Sequence, residues 1–231
     1  MNTVFEQIFE ILFDMYGPQG WWPLLKKQKG EILCAYHPGN YDLPQKKIQI
    51  FEICLGAILT QNTSWQNVIK ALINLYQLDS LRPRTIEKMP MDDLGQAIRP
   101  AGYFNQKAKK IKAFTAFYLQ LNGKVPTRDQ LLNVWGIGPE TADSILLYAY
   151  KVASFVIDAY TRRIFVNIGL IQDHLKYHDI KKQFENNLKK DIFIYQEYHA
   201  LIVTHAKAYY SKKDLYAKDP LLTSAKVNLI K

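Results

Sequence analysis

Residues 135–150 read WGIGPETADSILLYAY, and the chemistry of this chain starts there. Gly136 and Gly138 bracket Ile137, and Pro139 and Glu140 follow directly. Two positions without a Cβ permit positive φ and close approach of another molecule. Pro139 suits the first position of a helix, where its missing N–H is no loss. The turn then presents free N–H groups and the positive end of a helix dipole, a setting that can hold a phosphate. The same spacing also makes a ligand-free corner between two helices, with Ile137 plugging its core. Two clusters add positive charge: NQKAKKIKAF (105–114) and KKDLYAKDP (212–220). His174 and His178 are four apart, as zinc ligands on a helix can be. No third ligand accompanies them, so they read as surface residues. His199 and His205 read as packing or capping residues, and Cys54 as a small hydrophobe.

These groups are set on a helical frame. Phe5, Ile8, Phe9 and Leu12 recur at spacings of three and four. FEICLGAILTQ (51–61) is apolar almost all round and predicts a buried central helix. Thr63 with Gln66 and Thr127 with Gln130 have capping-box spacing. Residues 104–121 and 194–210 predict two long helices. Period-two alternation flanked by hairpin turns is not convincing anywhere, so the fold class is all-α, with about ten helices joined by short loops. Residues 26–47 form a long excursion rich in turn residues.

Composition bounds the rest. The chain has 231 residues, 48 % of them hydrophobic, enough for a large core. Its net charge of +9 fits a solvated surface or a polyanionic partner. The two cysteines, Cys34 and Cys54, are too few for a disulfide framework, a four-cysteine zinc site or a four-cysteine iron–sulfur cluster. No apolar run reaches the roughly 20 residues that a membrane span needs. The N-terminus carries acids and reads as an amphipathic helix rather than a leader. The expectation is a cytoplasmic monomer.

LLNVWGIGPETADSILLYA resembles the helix-hairpin-helix of the endonuclease III superfamily of DNA glycosylases, with Gly136, Gly138, Thr141 and Ala142 at the matching positions. FEICLGAILTQNTSWQNV, IRPAGYFNQKAKKI and NGKVPTRDQLL resemble three further family segments, in the same order. The resemblance implies two helical lobes around a DNA-binding cleft. Residues 51–150 would be the lobe that holds the hairpin (about 127–149), and 1–50 with 151–231 the other. It implies that Gln61 enters the DNA, and that Gly136, Ile137, Gly138, Lys107, Lys212 and Lys218 meet it; Lys207 and Lys213 are also placed to do so. It further implies that Asp158, sixteen residues past Ala142, is the catalytic carboxylate as well as a helix cap. Such an anion stabilises the oxocarbenium-like sugar as the flipped-out base departs, and it can orient or deprotonate water.

Two departures narrow the resemblance. Glu140 stands where the endonuclease III branch has its lysine nucleophile, and a carboxylate cannot form an imine. It would point away from DNA or pair with a cation such as Lys151. HAKAYYSKKDLYAKDPLL (205–222) replaces the four-cysteine loop. Both features resemble the bacterial 3-methyladenine DNA glycosylases that lack the cluster. The match includes Trp21-Trp22-Pro23, Trp65 and Asp158-Ala159-Tyr160-Thr161. In that subgroup the aromatics line the base pocket, where they suit an electron-poor methylated purine. The implied partner is damaged double-stranded DNA. No cofactor is implied beyond a monovalent cation at the hairpin. The alternatives are a glycosylase for oxidised pyrimidines, one for mismatched adenine, and a non-catalytic DNA-binding protein.

Overall fold

The computed structural model describes residues 2–222. Thr3 opens the first helix, α1 (Val4–Tyr16), with a reciprocal cap: Glu6 N donates to the Thr3 hydroxyl and Thr3 N to the Glu6 carboxylate. The predicted stripe turns Phe5, Ile8 and Leu12 inward. A two-stranded antiparallel hairpin follows, β1 (Leu24–Gln28) and β2 (Glu31–Ala35). The remaining helices are α2 (Lys47–Leu59), α3 (Trp65–Gln77), α4 (Pro83–Lys88), α5 (Met91–Ala97), α6 (Phe104–Leu121), α7 (Arg128–Leu132), α8 (Pro139–Ser144), α9 (Ala159–Asn167), α10 (Tyr177–Asn187) and α11 (Ile192–Tyr209). After α8 the chain widens to a π-helical turn over Ile145–Ala149. Among the described residues, no helix is long and apolar enough to cross a membrane.

The chain divides into two compact units, and its helical elements fit the all-α expectation. The hairpin unit comprises Trp22–Tyr36 and Asp42–Lys151. Its centre is α2, buried from Phe51 through Leu59 as the apolar run predicts. The helices α3, α6 and α8 surround it, together with the π turn. The other unit comprises the described residues of Met1–Trp21, His37–Tyr41 and Val152–Lys231. Its core is aromatic: Phe155 stacks on Phe184 at 4.4 Å, Phe5 meets the Phe184 edge at 4.9 Å, and Tyr198 lies among them. The boundary falls between Trp21 and Trp22.

Two local expectations are corrected. Residues 24–35 form a β-hairpin, because Lys29 and Gly30 both take positive φ, 50° and 88°. That is the two-residue turn whose twist matches paired strands. Glu52 fixes the hairpin to α2 by accepting from Leu25 N at 2.6 Å. Thr63 does not cap α3, which starts at Trp65 after Ser64. The Thr63 hydroxyl donates instead to the Ala101 carbonyl and accepts from Lys107. The Thr127–Gln130 box forms as predicted.

Candidate functional site

Asp158 is the N-cap of α9. The extended segment before it is tied to α10. Lys181 donates to the Ser154 hydroxyl and the Phe155 carbonyl, Glu185 accepts from Phe155 N, and Tyr177 from Ile157 N. Asp158 Oδ1 accepts from Thr161 N at 2.7 Å and from the Thr161 hydroxyl at 2.8 Å. Oδ2 lies 3.7 Å from His199 Nε2, and the Asp158 side chain is 13 % exposed. Burial pushes the carboxyl pKa up, but His199 and the two Thr161 hydrogen bonds outweigh it and hold the group below its usual range. The result is a nearly enclosed carboxylate that stays ionised. His199, read from the sequence as a packing or capping residue, is buried and packs against Trp21; what the sequence does not show is that it also lies beside Asp158. Only the tertiary fold brings α11 to the start of α9.

The four residues expected around a base are divided between the two units, Trp21 in one and Trp22, Pro23 and Trp65 in the other. Trp21 belongs to the unit of Asp158 and meets His199 edge-on, with centroids 5.7 Å apart and planes at 90°. Trp22 and Pro23 are buried, and Trp65 is half-buried. Trp22 meets Trp65 edge-on at 5.3 Å and Tyr148 at 5.2 Å, within the hairpin unit. Gly56 makes room for it: a Cβ there would lie 3.1 Å from Trp22 Nε1. Trp22 is therefore a packed core residue of that unit. The Trp65 indole N–H is buried and has no acceptor among the described residues.

The Gly136–Gly138 turn joins α7 to α8. Arg128 and Asp143 clamp the two helices with hydrogen bonds of 2.8 and 3.1 Å, and Asp143 is fully buried. Ile137 is buried as expected. Of the two glycines, Gly136 alone takes positive φ, at +83°. A Cβ there would also meet Lys110 Cγ at 2.4 Å. Gly138 is extended at φ −90°, and a Cβ on it would meet nothing within 4 Å. Glu140 is exposed in the first turn of α8. Lys151, considered as its cation, donates to the Asp42 carbonyl.

Gln61 is tied to this turn rather than projecting from it. Its Nε2 donates to the Gly136 carbonyl at 3.2 Å and to the Thr141 hydroxyl at 2.9 Å, while Oε1 accepts from Lys110. The next residue, Asn62, is exposed at φ 53°. Lys107, expected to meet DNA, is 2 % exposed. Its three ammonium donors go to the Leu59 carbonyl, the Thr63 hydroxyl and the Ala101 carbonyl, which leaves none for a phosphate. Burial, with Lys110 adding to it, lowers its pKa to about 8. Gln61, Asn62, Lys110, Tyr103 and Trp135 border a depression of about 260 Å³. Tyr103 (φ 46°) and Trp135 are 72 % and 56 % exposed there. The sequence reading missed both, since exposure is set by the fold; only Tyr103 lies near lysines in the chain. A larger groove, about 690 Å³, is lined by none of the expected site residues.

Lys207, Lys212, Lys213 and Lys218 are exposed. Beneath the last three, buried Asp219 accepts from Tyr210 and from Leu221 N, and His205 Nε2 lies 2.9 Å from it. His205 Nδ1 is 2.9 Å from the Tyr16 hydroxyl. This network anchors the described part of the C-terminal segment to α1 and α11. Burial raises the Asp219 pKa, but His205 and Tyr210 outweigh it and hold the group low. Among the described residues, no His, Cys, Asp and Glu group could hold a metal ion. At the hairpin, the Val134 and Gly136 carbonyls already accept from Ile137 N and Gln61.

Residues 55–190 match the family model described as HhH-GPD superfamily base excision DNA repair protein. A protein of Methanocaldococcus jannaschii that carries the name of a DNA repair glycosylase is 42 % identical over 226 residues, 93 % of this chain and 92 % of that one. Endonuclease III of Sulfolobus acidocaldarius is 29 % identical over 168 residues, 70 % of this chain and 74 % of that one. Among solved structures, Helicobacter pylori 3-methyladenine DNA glycosylase bound to 1,N6-ethenoadenine superimposes with a TM-score of 0.68 at 27 % identity, covering 90 % of this chain and 98 % of that one. A non-covalent endonuclease III–DNA complex superimposes with a TM-score of 0.71 at 19 % identity, covering 92 % and 90 %, and shares the fold. The chain belongs to the HhH-GPD superfamily of base excision repair DNA glycosylases.

Proposed function

We propose that this chain is a monofunctional DNA glycosylase. It hydrolyses the N-glycosidic bond of flipped-out alkylated purines, 3-methyladenine above all, in double-stranded DNA and leaves an abasic site. The observation that carries the reading is Asp158, an enclosed carboxylate held ionised. Bond cleavage places positive charge on the sugar, and a fixed anion in a site with little water stabilises that charge far more than one in bulk solvent. Oδ1 is engaged by two Thr161 donors and Oδ2, among the described residues, faces His199 alone, so Oδ2 keeps a lone pair for the sugar or for water. The absence of lyase chemistry rests on Glu140, whose carboxylate cannot attack as an amine does. The substrate class rests on the likeness to the Helicobacter pylori enzyme, which was solved with a purine adduct. Of the four residues expected around the base, Trp21 alone shares a unit with Asp158 and is the one proposed to stack on the base. Around the hairpin, Asn62, Tyr103, Trp135 and the open space at Gly138 form the face proposed to meet DNA. No resident cofactor takes part in this reading.

The test is release of free base from methylated duplex DNA, with borohydride in a parallel sample. Wild type is expected to release 3-methyladenine with no trapped adduct. Asp158→Asn is expected to lose at least about 100-fold in rate while still binding DNA. The endonuclease III relatives favour a second reading, a glycosylase with lyase activity on oxidised pyrimidines. A borohydride-trapped adduct on a thymine glycol duplex would select it. DNA binding with no release from any lesion would select a non-catalytic binder.

A further inference from the structure

Asp158 is not held by its own cap alone. Thr161 supplies two neutral donors, both to Oδ1. Oδ2 faces the imidazole of His199, which is 6 % exposed, with Nε2 at 3.7 Å. That distance is too long for a full hydrogen bond and within reach of an ion pair, and such contacts tighten when substrate binds. The other edge of the arrangement is Trp21, which meets the same imidazole at 5.7 Å. The chain that delivers Trp21 is fixed from α11 as well. Glu197 accepts from Gln19 N at 2.7 Å and Gly20 N at 3.2 Å. Gly20 has φ +67° and admits no side chain, since a Cβ would lie 2.2 Å from Pro38 N. One helix therefore carries both the clamp on the turn before Trp21 and the ring between Trp21 and Asp158.

The other charged groups on the neighbouring elements are directed elsewhere. Arg162 donates to the Asp173 and Leu175 carbonyls. Arg163 donates to the Tyr210 carbonyl and lies over the Tyr160 ring. Glu197 holds the Gln19–Gly20 turn and is also bonded to Tyr41. His205 lies between Tyr16 and Asp219. Tyr198 is enclosed by phenyl rings. A carboxylate this enclosed needs a compensating partner to remain ionised, and His199 is the group placed to provide it.

We infer that His199 is a positioning residue for Asp158: its Nε2 aims Oδ2, and its ring sets the distance between that carboxylate and Trp21. The inference rests on the glycosylase reading above. It gives a sequence position some forty residues beyond Asp158 a role in the same reaction. His199→Leu keeps the volume and removes the Nε2 contact. His199→Gln restores a neutral N–H donor of similar reach.

The experiment measures single-turnover base release and lesion-DNA affinity across pH for wild type and both variants, beside Asp158→Asn. In parallel, the Asp158 carboxyl carbon is titrated by NMR without DNA. His199→Leu is expected to slow release about 10- to 100-fold with affinity within about two-fold of wild type. The acid limb of its rate profile is expected to move to higher pH, because Asp158 loses the partner that keeps its pKa low. The NMR midpoint should rise with it, and His199→Gln should recover most of the rate. Wild-type rates and an unmoved midpoint in both variants would overturn the inference. So would parallel loss of rate, affinity and thermal stability with no rescue by Gln, since that is the signature of a purely structural residue. If wild type releases no base, the glycosylase reading fails and the catalytic role goes with it. The titration then shows whether the pair itself exists, so the two failures are distinguishable.

Discussion

Enclosed charges are where single residues decide most here. Glu52 is buried and has one backbone donor, Leu25 N; burial raises its pKa to about 7. In the unfolded chain a glutamate titrates near pH 4.3. Between those values the folded chain holds more protons than the unfolded one, so stability falls as pH rises from about 4.3 to about 7 and stays lowered above. Glu52→Gln keeps an acceptor for Leu25 without a charge. It is expected to match wild type near pH 4 and to be more stable by about 1–3 kcal/mol at pH 8, measured by urea unfolding at both. Lys107 shows the opposite logic. Its ammonium joins the end of α2 to the Arg99–Ala101 turn, and three acceptors compensate its burial. Lys107 and Lys110 are three residues apart on α6, and the spacing alone does not say which would be enclosed. Lys110 crosses Gly136 and reaches Gln61, so the hairpin glycine is demanded from inside the protein before any ligand is considered.

At the scale of elements, the Arg128–Asp143 bridge joins α7 to α8 across the hairpin. Asp143 is fully buried, so Arg128→Ala takes a two-pronged cationic partner away from an enclosed carboxylate. It is expected to cost about 3 kcal/mol of stability, and to weaken DNA binding at temperatures where wild type still binds, as a thermal melt and a binding isotherm would show. The elements that the sequence made legible share one property: their signal is local. The stripe of α1, the apolar run of α2, the Thr127 box and the Asp158 cap each lie within a few residues, and each forms. The β-hairpin was not legible. Leu24–Gln28 does not alternate, and Lys29-Gly30 lacks the asparagine or aspartate that usually marks such a turn. His199 was not legible either, since its partners come from other elements. Thr63 misled, because its capping spacing is real but Lys107 and Ala101 use its hydroxyl.

At the scale of the whole chain, the buried network around Asp219 ties α1, α11 and the C-terminal segment together through Tyr16, His205 and Tyr210. The Asp219 pKa is depressed in the folded chain, so its contribution is fully present above the unfolded value near 3.9 and disappears as pH falls through the lower folded value. Asp219→Asn is expected to lose about 2–4 kcal/mol at pH 7, with the difference from wild type shrinking below about pH 4. Urea unfolding at pH 7 and pH 3 checks this. The distribution of tryptophans also reaches across the chain. Trp22, Trp65 and Trp135 belong to the hairpin unit, and Trp21 alone belongs to the unit of Asp158. Intrinsic emission therefore reports mainly on one unit, whereas far-ultraviolet circular dichroism reports on helices of both. Two transitions that fail to coincide would reveal the units melting in turn. Trp22 is buried and Trp21 and Trp65 are half-buried, so the solvent-quenchable part of the spectrum belongs chiefly to Trp135, and the protein carries its own optical label on the face proposed to touch DNA.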